Sequence, residues 1–406
     1  MIWPRAVSLV NGRVAADGGT ADAVRFSSRV LSIGERPRAG DAIVDLQGAF
    51  VIPGLVNAHD HLELNHYGRR KFRERYENVS QWIDDMRPRL SADPGIRAGR
   101  AHSLADRVFI GALKNLLAGV TLVAHHNPYY RELGLPMPLR ILRRYGWAHS
   151  FFLEHRPAGA RGEPGGRVVE RWRSTPARFP FLLHLAEGID AEAAAELALL
   201  ESVGCLVPNT VLVHGVAIDR DGWQRVRAAG ASLVWCPASN TFLFGQTADV
   251  RSMMAPGGAQ AGRVALGTDS RLTGARDLLD ELRAARAALP ITPRDLFTMV
   301  TIAAAGVLRQ PRAGRIAVGL PADLVVIPPT AADAADALIE TTRADIRLVI
   351  VGGRPLVGSD GYGPVFSARR VVAQPLCVDG SAKIADAELL QRIAGCGIGE
   401  AGVSVV

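Results

Sequence analysis

From about residue 53 to residue 312, short apolar runs alternate with helix-patterned stretches, and this alternation narrows the fold more than any other feature of the chain. Strand-like runs fall at 54–59, 120–125, 147–155, 181–186, 211–216, 231–236 and 263–267, and helix-like runs at 101–118, 135–145, 191–203, 222–229 and 275–289. Near-continuous apolar strands separated by helices are the pattern of a parallel sheet covered on both faces. A parallel neighbour can be reached only through a crossover, and crossover helices bury the sheet. Spread over roughly 260 residues, the pattern predicts an α/β fold, a (β/α)8 TIM-like barrel at 53–312. The stretch 156–180 holds about 25 residues where helix, strand and helix are needed, so the fourth unit is expected to be shortened.

Both ends of the chain read differently. Residues 6–10, 23–30 and 42–46 are short strands, with a hairpin signal at Asn11-Gly12, and strand-and-turn patterning returns at 314–327 and 346–351. The simplest topology is a small β-sandwich domain built from 1–52 plus 313–375, with the barrel inserted and 376–406 left as a tail carrying one short helix near 386–394. A chain of 406 residues, 48% apolar, can bury cores of that size.

Composition removes several classes of function. The N-terminus lacks a signal-peptide core, and no run approaches the roughly 18 apolar residues of a membrane span. A cytoplasmic protein is the expectation. The net charge is +7, but its basic residues are mostly dispersed arginines, which argues against nucleic acid as a partner. One cluster stands out at 69–75, readable as a solvated basic loop or as an anion-binding lid. Cys205, Cys236, Cys377 and Cys396 form no CxxC pair and read as free thiols.

The chemistry sits at the ends of the strand-like runs, where barrel active sites form. His59-Asp60-His61 closes the first run, and side chains two apart on a strand share a face. His184 closes a later run with Glu187 three residues on; His214 and Asp269 close two more. Imidazoles and a carboxylate around an open position describe a catalytic divalent-metal site, where a bound water falls from a pKa of 15.7 to about 7.

Six segments carry a family resemblance: 53–61 (Pro-Gly-Leu-Val-Asn-Ala-His-Asp-His), 184–187 (His-Leu-Ala-Glu), 213–215, 235–240 (Trp-Cys-Pro-Ala-Ser-Asn), 267–270 (Gly-Thr-Asp-Ser) and 314–327. In this order they resemble the amidohydrolase superfamily, in the group of cytosine, guanine and S-adenosylhomocysteine deaminases and triazine hydrolases. The resemblance implies His59, His61, His184 and Asp269 as metal ligands. It implies Asp269 also as the base toward water, Glu187 as the proton shuttle and His214 as the group orienting the attack. Binuclear members use a lysine on a barrel strand. None of Lys71, Lys114 and Lys383 ends a strand-like run, so one metal ion is expected, zinc first, with iron or manganese suited to the same donors.

Around this set, His66, Tyr67, Trp82, His125, His126, Glu154, His155, Asn240 and Arg271 are candidates to bind substrate. The implied activity is hydrolytic deamination of a small N-heterocyclic amine. Hydrolysis of a cyclic amide C–N bond or loss of another ring substituent is the alternative, and a catalytically inactive binding protein is the remote one. The expected partner is a small molecule, with no membrane partner, and a homodimer is compatible with the sequence.

Overall fold

The computed structural model describes residues 5–17, 19–154, 166–254 and 261–405. Strands Val7–Val10, Val24–Phe26, Val30–Ile33 and Ala42–Asp45 form a four-stranded sheet. A nine-stranded sheet joins both chain ends: Phe50–Pro53 pairs antiparallel with Leu324–Ile327, and Ile52 sits opposite Val325. Val7, Leu9, Phe26, Val51, Leu324 and Phe366 belong to one buried cluster between these sheets. Asn11 adopts φ 55°, but the strands on either side of this turn enter different sheets, so Asn11-Gly12 is a crossing point and not a hairpin. The C-terminal segment is more than a tail. Ala373–Val378, Ser381–Asp386 and Val403–Val405 extend the nine-stranded sheet, and helix Ala387–Ala394 is capped by Asp386.

Between these ends lies a mixed α/β region, consistent with a barrel-like domain. Leu55–Asp60, Val120–His125 and Arg140–Ile141 form one parallel sheet. Gly146–Ala148, Phe181–Leu185, Thr210–His214, Ser232–Trp235 and Val264–Leu266 form another. The two sheets approach where the first strand meets the last: the Asp269 amide donates to the His59 carbonyl at 3.1 Å. Gly267 permits that approach, since a Cβ there would stand 2.6 Å from the His59 Cβ. The helices begin where short polar side chains accept backbone N–H groups: Ser103, Asp190, Asp219 and Asp277 cap Leu104–Leu117, Ala191–Ser202, Arg220–Ala228 and Leu278–Ala288.

Two expectations fail between residues 126 and 155. The stretch 135–145 is not a helix: after a 3-10 turn at Arg131–Gly134 it runs extended into strand Arg140–Ile141. Its apolar spacing is helical, but Pro136 and Pro138 supply no N–H, and the residue before each proline is pushed away from helical geometry. Of the described part of 147–155, only Trp147 and Ala148 lie in a strand (Gly146–Ala148), and Phe151–Glu154 turns helical. The shortened connections therefore lie before and after Arg140–Ile141, while the connection after Gly146–Ala148 carries helix Gly166–Arg173. Among the described residues, no helix is long and apolar enough to cross a membrane.

Candidate metal centre

The first parallel strand delivers His59 and His61 to one buried space, their ring centroids 5.0 Å apart. His184 reaches the same space from Phe181–Leu185, and its ring stacks on those of His61 (5.6 Å) and His214 (5.4 Å). Asp269 enters past the last strand, with Oδ1 3.5 Å from His61 Nε2 and 3.8 Å from His59 Nε2. Ligand atoms of His59, His61 and Asp269 lie within 4.8 Å of one another, as do those of His59, His184 and His214. His214 thus stands as close to the donor set as the four expected ligands do. Glu187 lies opposite, Oε1 3.5 Å from His214 Nε2. Ala186, His214 and Asp269 all take positive φ (52°, 74° and 51°), so the backbone is strained at the three points that aim Glu187, His214 and Asp269.

The donor set fits a divalent ion. Both ring nitrogens of His59 and the Nδ1 atoms of His61 and His184 are buried without a hydrogen-bond partner, a costly state that a bound cation relieves. Burial, reinforced by neighbouring imidazoles, holds His59 and His184 well below the ordinary histidine pKa, so their lone pairs are free at neutral pH. Burial pushes Asp269 upward, but the His61 and His214 rings and the hydroxyls of Ser239 and Thr273, each 2.8 Å from Oδ2, outweigh it and leave the carboxylate ionised. Burial drives Glu187 the other way, well above the usual carboxylate range, with the charges of Asp269 and Glu196 adding to it. Two carboxyl groups facing one space are thereby tuned apart.

Asn240 acts through His214. Its Oδ1 accepts from His214 Nδ1 at 2.8 Å while its Nδ2 donates to Thr247, which leaves the His214 Nε2 lone pair facing Glu187. A second polar group braces the strand from behind. Asp60, between the two histidines, faces outward and accepts from Asn65 (2.7 Å), Asn115 (2.7 Å) and Lys114 (2.9 Å). Lys114 and Asn115 were missed in the sequence, although a Lys-Asn pair inside the apolar run 108–117 was a usable signal. Lys114 is consumed by Asp60 on the outer side of the strand and supplies no bridge between metals.

The substrate-binding candidates divide. His126 belongs to the imidazole cluster, its ring 4.1 Å from His184 and 4.9 Å from His59, with Nε2 held by the Ala148 carbonyl. His125 does not: it pairs beside Asp60 on the outward face, where Nδ1 accepts from the Leu62 amide. Arg271 is also corrected, for its guanidinium is taken by Glu400 in two contacts of 2.7 and 2.8 Å. The His66 and Tyr67 rings lie tilted against each other, centroids 3.9 Å apart, and the Tyr67 hydroxyl donates to Ile96 O, so both serve the segment after the first strand. Trp82 donates to Arg70 O and packs with Tyr76, Val216 and Leu243, an apolar wall two residues beyond His214. The Glu154 side chain and His155 lie outside the described residues.

The segment carrying the basic cluster crosses the site as a strap. Arg70 N donates to Leu272 O, Tyr76 N to Leu243 O and Val79 N to Glu187 O. Three of its cations are already engaged: Arg69 on Gly274 O, Lys71 on Phe242 O and Arg73 on Asp85. They bind the strap down, which neither reading of the cluster anticipated. Under the strap, His61 and Asp269 are each 8% exposed and Glu187 6%, so only a narrow approach remains.

Comparison with known proteins gives this geometry a family. The Amidohydrolase family model matches residues 182–356, the stretch that carries His184, Glu187, His214 and Asp269. A 5-methylthioadenosine/S-adenosylhomocysteine deaminase of Halobacterium salinarum is 28% identical over 359 residues, covering 75% of this chain and 78% of that protein. The chain is thus similar to the amidohydrolase superfamily, in its deaminase and triazine-hydrolase group. It is a hydrolase acting on carbon–nitrogen bonds. Its fold is similar to that of a zinc-complexed atrazine chlorohydrolase from Arthrobacter aurescens, with TM-score 0.67, 20% identity and coverage of 90% of this chain and 99% of that one. It is also similar to a zinc-bound adenosine deaminase from Xanthomonas campestris, with TM-score 0.64, 19% identity and coverage of 91% and 98%. The chain keeps its His/Asp cluster beneath the strap, with Asp269 beside His61 and Glu187 beside His214.

Proposed function

We propose that the chain is a mononuclear hydrolytic deaminase of a small nitrogen heterocycle. In this reading 53–312 is a closed barrel and 1–52 plus 313–375 a separate small domain. The observation that carries the reading is Glu187: a buried carboxyl group with a raised pKa, 3.5 Å from His214 Nε2 and facing the His/Asp cluster. His59, His61, His184 and Asp269 would hold one divalent ion, with zinc the first choice because two similar structures carry it. Such an ion supplies Lewis acidity and a water of lowered pKa.

The remaining work falls to the side chains. Asp269, kept ionised by its hydroxyl donors, accepts a proton at a carboxylate oxygen. Glu187, whose burial favours the protonated form, delivers a proton to a ring nitrogen or to the departing amine. His214, its tautomer set by Asn240, orients the attacked carbon's oxygen. The strap excludes bulk water and the Trp82–Val216 wall accepts a flat apolar ring.

Relatives named as deaminases of adenosine derivatives make purine nucleosides the first substrates to try, followed by aminopyrimidines, pterins and triazines. The test is ammonia release from the zinc-loaded protein across that panel, with Glu187→Gln as control. Turnover is expected in the parent and none in the variant, with metal content equal in both. Retained activity in Glu187→Gln refutes the proton-carrier role. Hydrolysis of cyclic amides without ammonia from any amine replaces deamination by the ring-opening alternative.

A further inference from the structure

A cavity of about 850 Å³ lies apart from the metal centre, between the extended 133–144 segment and the turn at 310–313. It opens where the sequence pattern anticipated a helix. Strand Arg140–Ile141 pairs with Leu122–Val123, and Leu139 to Arg144 line this space together with Leu122. Leu135, half exposed, lines the cavity with Met137, Leu142 and Phe179. Among the described residues, no acidic one lines it. Four arginines do, and Arg140 is neutralised by Asp323. Arg143, Arg144 and Arg312 are exposed, and no hydrogen bond or ion pair engages their guanidinium groups among the described residues. Arg144 stands over the Phe179 ring at 5.9 Å. Elsewhere the chain's arginines are commonly spent on acids, as Arg271 and Arg343 are on Glu400.

We propose that this cavity binds an organic anion with an apolar body, a carboxylate or phosphate ester whose head meets Arg143, Arg144 and Arg312 and whose body enters beside Leu135 and Phe179. Its volume is that of small-molecule sites. Its lining supplies the two things such a ligand needs: apolar wall for the body and guanidinium forks that match carboxylate or phosphate oxygens. Free anions and membrane-derived lipids share this chemistry. Neither head group nor body alone satisfies the site, because the arginines need a counter-charge and the wall needs a hydrocarbon or aryl surface.

Calorimetric titration of the full-length protein with decanoate, decyl phosphate and decanol, all below micelle-forming concentrations, tests it. Saturable one-to-one binding is expected for both anions, with decanol at least about tenfold weaker. The triple variant Arg143→Ala, Arg144→Ala, Arg312→Ala is expected to weaken both anions by about tenfold or more, and Leu135→Glu to do the same by placing a charge in the mouth. All four positions are exposed, so both variants keep the parent's circular dichroism and metal content. Decanol binding as tightly as decanoate, an unsaturable titration, or an unchanged affinity in the triple variant would each overturn the proposal.

Discussion

Lys114→Met should destabilise the protein sharply, because it strands the Asp60 carboxylate inside the fold. Both side chains are fully buried, and the ammonium lies 2.9 Å from Asp60 Oδ2. Removing one partner of a buried pair costs about 3–5 kcal/mol, most of it the desolvation of the charge left behind. Here the carboxylate keeps Asn65 on Oδ1 and Asn115, Thr268 and Asn57 on Oδ2, which places the cost at the lower end, about 3 kcal/mol. With a urea m-value of about 3 kcal/mol/M, the unfolding midpoint of the metal-free protein, followed by tryptophan fluorescence, falls by about 1 M. The companion variant Asp60→Asn, Lys114→Met removes the stranded charge and is expected to recover most of that loss. Asp60 lies between His59 and His61, so Lys114→Met should also weaken zinc binding, read by chelator competition. An unchanged midpoint in Lys114→Met refutes the reasoning, and a double variant as weak as the single one assigns the cost to packing and not to charge.

Asn240→Ala frees the His214 tautomer and should lower turnover roughly 10–100-fold with zinc content unchanged; loss of the metal instead would make His214 primarily a ligand. Ser239→Ala combined with Thr273→Ala strips two donors from Asp269 Oδ2 and should weaken zinc affinity by about tenfold or more in chelator competition, while unaltered affinity would remove the two hydroxyls from the site. Glu196 and Glu281, pushed up by burial to about 8, keep their protons in the folded state between pH 4.5 and 8 while the unfolded chain has released them. Stability should therefore fall across that window, by roughly 1.4 kcal/mol per pH unit per group, and level off above pH 8. Glu281→Gln should flatten the denaturation midpoint against pH, and a slope as steep as the parent's would exclude this residue as a source.

The candidate metal residues were legible because their signal is local. An HxH at the end of an apolar strand puts two imidazoles on one face whatever surrounds it, and His184, Glu187, His214 and Asp269 follow the same strand-end rule. The connections between the second and fourth parallel strands were not legible. In 135–145 the apolar spacing favoured a helix while Pro136 and Pro138 forbade one, and the edge of Val120–His125 drew Arg140–Ile141 into a strand. His125 and His126 are adjacent and chemically identical in the sequence, and the register of Asp60 against His125 decided which one faces the imidazole cluster. Arg271, two residues past Asp269, looked poised for substrate because Glu400, which occupies it, lies 129 residues away.

The sequence alone marked the candidate groups for chemistry, since side-chain alternation and strand ends are properties of a few consecutive residues. The tertiary structure alone decided how those groups are tuned. Burial that raises Glu187, hydroxyls that hold Asp269 ionised, the Asn240 carbonyl that sets His214 and the Lys114–Asp60 pair behind the strand all join residues distant in the chain. Proton affinity depends on what surrounds a group in three dimensions, and only the fold supplies those surroundings.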